Sequence, residues 1–228
     1  VLCLLLFCGS MLMADMSGER APEQYEFKNK IAANFLINEE GNIDFQTNVS
    51  KTFDPETKEF IAYGDEIKNP DGSIKSVIPT IGYGITPNSE SKFNVKVGQR
   101  IPVNIANMSL DQEIDARAKR LKKLKIPDKY LNNEKTKAAI LSLDFNLGID
   151  GTNALKALKE GNIEKFKFYA FHPSKEAGNT YLLNSKGLRD RRQRELNLFE
   201  EGLSEIKKAG GGIVMNDPDK NYNAQRFI

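Results

Sequence analysis

Thr80-Ile81-Gly82-Tyr83-Gly84 is the stretch on which the reading of this chain turns. Ile81 and Tyr83 alternate with two glycines, which predicts a short strand carrying bulk on one face. The other face would leave room for a neighbouring backbone or a ligand to approach. By itself the pattern fits an ordinary strand with a bulge equally well, so its surroundings decide its meaning. From Asn42 to Thr86 the chain favours β-branched and aromatic residues, separated by Asp54-Pro55-Glu56-Thr57 and Asn69-Pro70-Asp71-Gly72. Both interruptions carry turn chemistry, and a small hairpin-rich lobe is expected.

On either side of this lobe the periodicity is helical. From Ala21 to Glu40, the residues Tyr25, Phe27, Ile31, Phe35 and Leu36 can share one face, with Pro22 suited to the opening turn and Gly41 to a stop. The helix therefore ends on Glu39 and Glu40. Downstream, Ser109-Leu110-Asp111-Gln112 has the form of a capping box, and Ile114, Ala118, Leu121 and Leu124 continue a helix with a basic outer face. Further helices are expected over residues 133–147, 153–159, 163–171 and 188–208, with Gly148, Gly161 and Gly187 as punctuation. Gly210-Gly211-Gly212 breaks the last of them, and the tail beyond has little periodicity. The pattern predicts an α+β fold with a small β lobe and a larger helical lobe.

With 228 residues the chain fits one domain, if a lobed one, better than two. Its 33 basic and 31 acidic residues leave a formal charge of +2, which gives no argument for a nucleic-acid partner and only a weak pull toward an anionic cell wall. Val1 to Ala14 is almost wholly apolar and gives way to Asp15, as in the hydrophobic region of a secretory signal. It is too short to span a bilayer comfortably, although a retained membrane anchor is the second reading. The positive region that normally precedes such a segment is missing, so the true start is expected to lie upstream. Both cysteines, Cys3 and Cys8, fall inside it, and a cleaved protein would carry neither thiol nor disulfide. The single histidine, His172, leaves no His/Cys cluster for a metal and makes a Ser-His-Asp arrangement improbable. No Gly-rich loop opens a helix to cradle phosphate.

Several blocks now stand in a telling order: Glu39-Glu40-Gly41, Tyr63-Gly64-Asp65, Thr80 to Gly84, Ser142-Leu143-Asp144-Phe145-Asn146-Leu147-Gly148, and Gly187-Leu188-Arg189-Asp190-Arg191-Arg192 followed by Glu195. Their order resembles that of phage-type lysozymes, over a stretch from about Phe27 to Gly202. The resemblance implies a lysozyme-like fold with the active-site cleft between the two lobes. It also implies an endo-acting glycosidase that cleaves the bond between N-acetylmuramic acid and N-acetylglucosamine in peptidoglycan. Glu40 matches the family's general acid, Asp65 its second carboxylate and Thr80 the threonine beside the attacking water. Tyr63 and Asn146 fall where substrate is bound, and neither a cofactor nor a metal is implied. The chain then divides into a signal peptide or anchor (1–14), a polar segment (15–26), the catalytic domain (27–208) and a tail (209–228). Such a protein is exported, acts as a monomer on peptidoglycan, and has no stable membrane association once processed.

Alternatives remain in the residues. Glu56 stands nine residues before Asp65, close to the glutamate-to-aspartate spacing of compact relatives, but it lies in a Pro-containing turn with no helix before it and no glycine after it. Glu66 and Asp71 are near enough to stand in for Asp65. Arg189, Arg191, Arg192 and Arg194 with Glu195 read either as binders of wall anions or as a solvated, salt-bridged helix face. Two departures from the family also count. The span from Asp65 to Thr80 is longer than in compact relatives, and Ile85 stands where a histidine often follows the Thr-Ile-Gly segment. A catalytically silent, wall-binding module is therefore a second reading, and a lytic transglycosylase a third.

Overall fold

Helix α1 (Lys30–Gly41) begins well after the point its apolar spacing suggests. In the computed structural model, which describes residues 25–41, 52–54, 56–69, 71–90 and 93–209, residues 25–29 are tied down in another way. Asp111 accepts hydrogen bonds from the Tyr25 hydroxyl at 3.1 Å and the Lys28 backbone N–H at 3.2 Å, and Asp115 accepts from the Asn29 amide at 2.9 Å. Of these donors the Lys28 N–H is a backbone group that an earlier helix start would have used internally, and the two side-chain bonds hold the segment against Asp111 and Asp115. The α1 face that does form buries Ala32, Ala33 and Leu36 against the helical lobe. A fully buried leucine of this kind contributes about 1.5–3 kcal/mol. The predicted segment 1–14, residues 15–24 of the predicted segment 15–26, and the predicted tail 209–228 beyond its first residue lie outside the described residues.

The β lobe contains two separate sheets. Strands β1 (Phe53–Asp54), β2 (Glu59–Ile61) and β5 (Arg100–Pro102) form an antiparallel sheet in the order β1-β2-β5. β3 (Tyr63–Lys68) and β4 (Ile74–Thr80) form a hairpin of their own. Both turn signals act as expected: Asp54 Oδ1 accepts from the N–H groups of Glu56 and Thr57, and Asp71 Oδ1 from that of Ser73. β5 carries no alternating pattern of its own, and only its pairing with β2 makes it a strand.

The stretch 80–85 is not the strand that its alternation suggests. Thr80 ends β4, and Ile81 and Ile85 then exchange both backbone hydrogen bonds, at 2.9 and 3.0 Å, around a tight turn. Gly82 (φ +58°) and Gly84 (φ +80°) take left-handed backbone that side chains disfavour. The glycines make a turn, while Ile81, Tyr83 and Ile85 are all buried.

Helix α2 (Val103–Lys123) starts before the apparent capping box. Ser109 lies inside it, buried, with its hydroxyl bonded back to the Ile105 carbonyl at 2.9 Å, so the Ser-x-x-Gln pattern is coincidental. Next come α3 (Asp128–Asn132), α4 (Glu134–Leu147), α5 (Asn153–Lys159), α6 (Ile163–Phe171), α7 (Thr180–Leu183) and α8 (Lys186–Ala209). Asn133, Thr152 and Asn162 cap α4, α5 and α6 through their side-chain oxygens. Gly148 follows α4 and Gly161 follows α5 with positive φ, but Gly187 is the second residue of α8 and stops nothing. Phe166 and Phe199 stack with centroids 4.9 Å apart, and Tyr130 and Phe171 flank them to join α3, α6 and α8. The result is an α+β molecule whose helical lobe carries most of the core.

Candidate active site

Two acids end α1, at the negative end of its dipole, where carboxylates are disfavoured without compensation. The compensation comes from α8. Arg194 grips Glu39 with two parallel bonds, Nε to Oε1 at 2.6 Å and Nη2 to Oε2 at 2.8 Å. Arg191 Nη1 donates to Glu40 Oε1 at 2.8 Å, with both side chains over nine-tenths buried. The arginine run is the salt-bridged face that one reading of the sequence allowed, with Arg191, Arg192 and Glu195 buried and Arg194 exposed.

Arg191 does not serve Glu40 alone. Its Nε donates to Glu195 at 3.2 Å and its Nη2 to the Ser142 hydroxyl at 3.2 Å, and that hydroxyl donates to Glu195 at 2.6 Å. Burial pushes the Glu195 carboxyl above its ordinary value, against the opposing pull of Arg192, Ser142 and Arg191. Burial likewise lowers Arg192. Arg192 Nη1 and Glu195 Oε2 lie 3.0 Å apart but are not aligned as a hydrogen bond, so their attraction is one of charge alone. The second Arg192 nitrogen, Nη2, donates to Asn146 Oδ1 at 2.9 Å. This commits the Asn146 acceptor to the protein and leaves its NH2 group for a ligand.

The β lobe meets this array at two places. A Cβ on Gly84 would lie 3.4 Å from Glu40 Oε2 and 3.3 Å from Phe145 Cε1, so the turn passes close to the acid, and its φ of +80° favours glycine there. Phe145 is in turn covered by Arg117, whose guanidinium carbon lies 4.9 Å from the ring centroid. On β3, Tyr63 pairs with Thr80 and Asp65 with Ile78, so Tyr63, Asp65, Thr80 and Ile78 lie on one face of the hairpin. Burial first, then the charges of Asp65 and Glu40, push the Tyr63 phenol above its ordinary value.

Asp65 is exposed and lies mid-strand, not at a strand end, because β3 runs three residues further to Lys68. Thr80 is buried, and its hydroxyl donates to the Ile78 carbonyl at 3.3 Å. Glu56 is exposed in the β1–β2 turn. Glu66 alternates onto the other face of the hairpin, and Asp71 is engaged with Ser73 at the turn. Ile85 is buried at the closing bridge of the 81–85 turn, so its position serves the core. Among the described residues, no group of three or more His, Cys, Asp or Glu side chains is placed to hold a metal ion.

The fold is α+β, with Glu40 at the end of α1 and Asp65 on the β3–β4 hairpin. The phage lysozyme family model matches residues 65–195, more than half of the chain. The chain belongs to that family, whose members are peptidoglycan hydrolases. No curated protein and no solved structure matches it. The matched span includes Asp65, Thr80 and Asn146 but begins after Glu40. Sequence reasoning missed Arg191 as the partner of Glu40 and Arg194 as that of Glu39. The available signal was that Arg191 and Arg194 are three apart and therefore share a helix face, downstream of two adjacent acids at a helix end.

Proposed function

We propose that this protein is an active, exported muramidase, with Glu40 as the general acid and with Asp65 and Thr80 holding the attacking water. The observation that supports this reading is the approach of the 81–85 turn of the β lobe to Glu40 Oε2, next to a hairpin face that carries Tyr63, Asp65 and Thr80. Glycoside hydrolysis needs one carboxyl group to protonate the leaving oxygen and another to activate water or stabilise the sugar cation. Arg191 orients Glu40 through Oε1, while its charge is shared with Glu195 and Ser142. The Thr80 hydroxyl donates to its own strand and keeps its oxygen as an acceptor for a water proton. Tyr63 and the Asn146 NH2 group bind the sugar or its N-acetyl substituent.

Export rests on the apolar run Val1–Ala14, with cleavage close to Ala14. Among the described residues no helix is long and apolar enough to cross a membrane. The division into leader, polar segment, catalytic domain and tail follows the same reading, as does action by a monomer.

The test is loss of turbidity of a peptidoglycan suspension, followed by mass analysis of the released ends. Reducing ends are expected. Anhydro ends would assign a lytic transglycosylase, and binding without release would assign a silent wall-binding module.

A further inference from the structure

The β3–β4 hairpin runs on past the two acids, and its far half is exposed. Side chains alternate across a strand, so the face that carries Tyr63 and Asp65 also carries Ile67, and their cross-strand partners Thr80, Ile78 and Ser76 lie on it too. Along this face burial falls steadily, from Thr80 through the half-buried Ile78 to the exposed Ser76 and Ile67. Among the described residues nothing covers its outer part, and Ile67 is 41% exposed. The opposite face is occupied differently. There Val77 packs over Gly64, where a Cβ would meet its Cγ1 at 2.5 Å, and Val97 lies alongside.

The projecting arm is held in shape. Asn69 and Ser73 close the turn with a backbone bond at 2.8 Å and a side-chain bond at 2.9 Å, and Asp71 accepts from both the N–H and the hydroxyl of Ser73. It is a preformed wall that continues the proposed cleft beyond Asp65. On this face Ile78 lies opposite Asp65, and beyond the acid Ile67 lies opposite the Ser76 hydroxyl. Glu66 alternates onto the other face, and Lys75 is the unpaired residue at the register shift. Two aliphatic side chains with a hydroxyl between them suit sugar rings with their N-acetyl methyl groups and hydroxyls.

We propose that Ile67, Ser76 and Ile78 form an additional saccharide subsite, which makes the protein prefer long glycan strands over short oligosaccharides. This rests on the muramidase reading and extends its cleft. A glycan strand is a polymer that must continue past the scissile bond, and the hairpin face is continuous with the Tyr63–Asp65 surface. That continuity selects glycan as the occupant.

The experiment compares kcat/KM on purified long glycan strands with that on short oligosaccharides of the same repeat. In Ile67→Ser and Ser76→Ala the long-to-short ratio should fall, by about tenfold for the isoleucine. Val77→Ser, on the opposite face, should leave the ratio unchanged. An unaltered ratio in Ile67→Ser overturns the proposal, as does a changed oligomeric state in its place, which would give this face to a second copy. Hydrogen exchange of the β3–β4 amides provides the independent reading: long strands should slow it and short oligosaccharides should not. If the wild type releases no products, the muramidase reading fails, while protection of the hairpin by long strands still tests the subsite, and its absence overturns it.

Discussion

Where α8 lies on α4, the helices are so close that a Cβ on Gly202 would meet Asn133 Oδ1 at 2.5 Å and the Thr136 backbone nitrogen at 2.7 Å. In the β3–β4 hairpin, by contrast, Ile67, Ile74 and Val77 are 41%, 55% and 50% exposed. The packed seam supports the Glu40 side of the proposed cleft through Arg191 and Ser142, and the hairpin carries Asp65. One acid is thus fixed by a buried ionic array and the other presented on an open ribbon. Structurally the two sides respond differently to change: a small alteration at the seam disturbs many neighbours, whereas one on the ribbon disturbs few.

The largest difference should appear in chemistry. Glu40→Gln keeps the shape but cannot deliver a proton, so wall-clearing activity should fall by about 10²–10⁴-fold with the fold retained. Glu56→Gln, in the exposed β1–β2 turn, should leave clearing nearly unchanged. An exchange of these two outcomes would make Glu56 the acid and break the seam's link to catalysis.

Stability provides the next contrast. Gly202→Ala must separate α8 from backbone that cannot yield, and a loss of about 1–3 kcal/mol is expected from denaturant unfolding. A neutral result would show that the α4–α8 contact is slack. Ile74→Ser, at the exposed end of the hairpin, should stay within about 0.5 kcal/mol of wild type.

A smaller effect is expected with pH. The Glu195 carboxyl is raised in the folded protein, chiefly by burial. Its contribution is therefore fully present below the ordinary glutamate value and is lost as pH rises from there through the folded value. Melting temperatures of wild type and Glu195→Gln, followed upward from acid pH, should differ in slope in that window. Parallel curves would remove Glu195 as the source, and a variant that gains relative stability toward acid would reverse the sign.

Much of this molecule was legible in local chemistry. Helices α5 and α6 lie where the apolar periodicity and glycine punctuation put them, and the turns at Asp54 and Asp71 follow from side chains that bond to nearby backbone. The joint order of the blocks from Glu39 to Glu195 was enough to recognise the family, because a series of spaced motifs is far more specific than any one of them. Other features depended on distant partners. The segment before α1 is held by Asp111, more than eighty residues away in the chain, which takes the Lys28 backbone N–H, and by Asp115, which takes the Asn29 side chain. The glycines of 82–84 make a turn because Ile81 and Ile85 pair across it and the turn must pass beside Glu40 and Phe145. Arg191 and Arg192 look like a solvated basic run by composition, but α8 buries them. Charge is cheap to place in water and costly to bury without a partner; Glu195 is a local partner on α8 itself, but only the packing of α8 and α1 on α4 brought Ser142 and Glu40 within reach of Arg191.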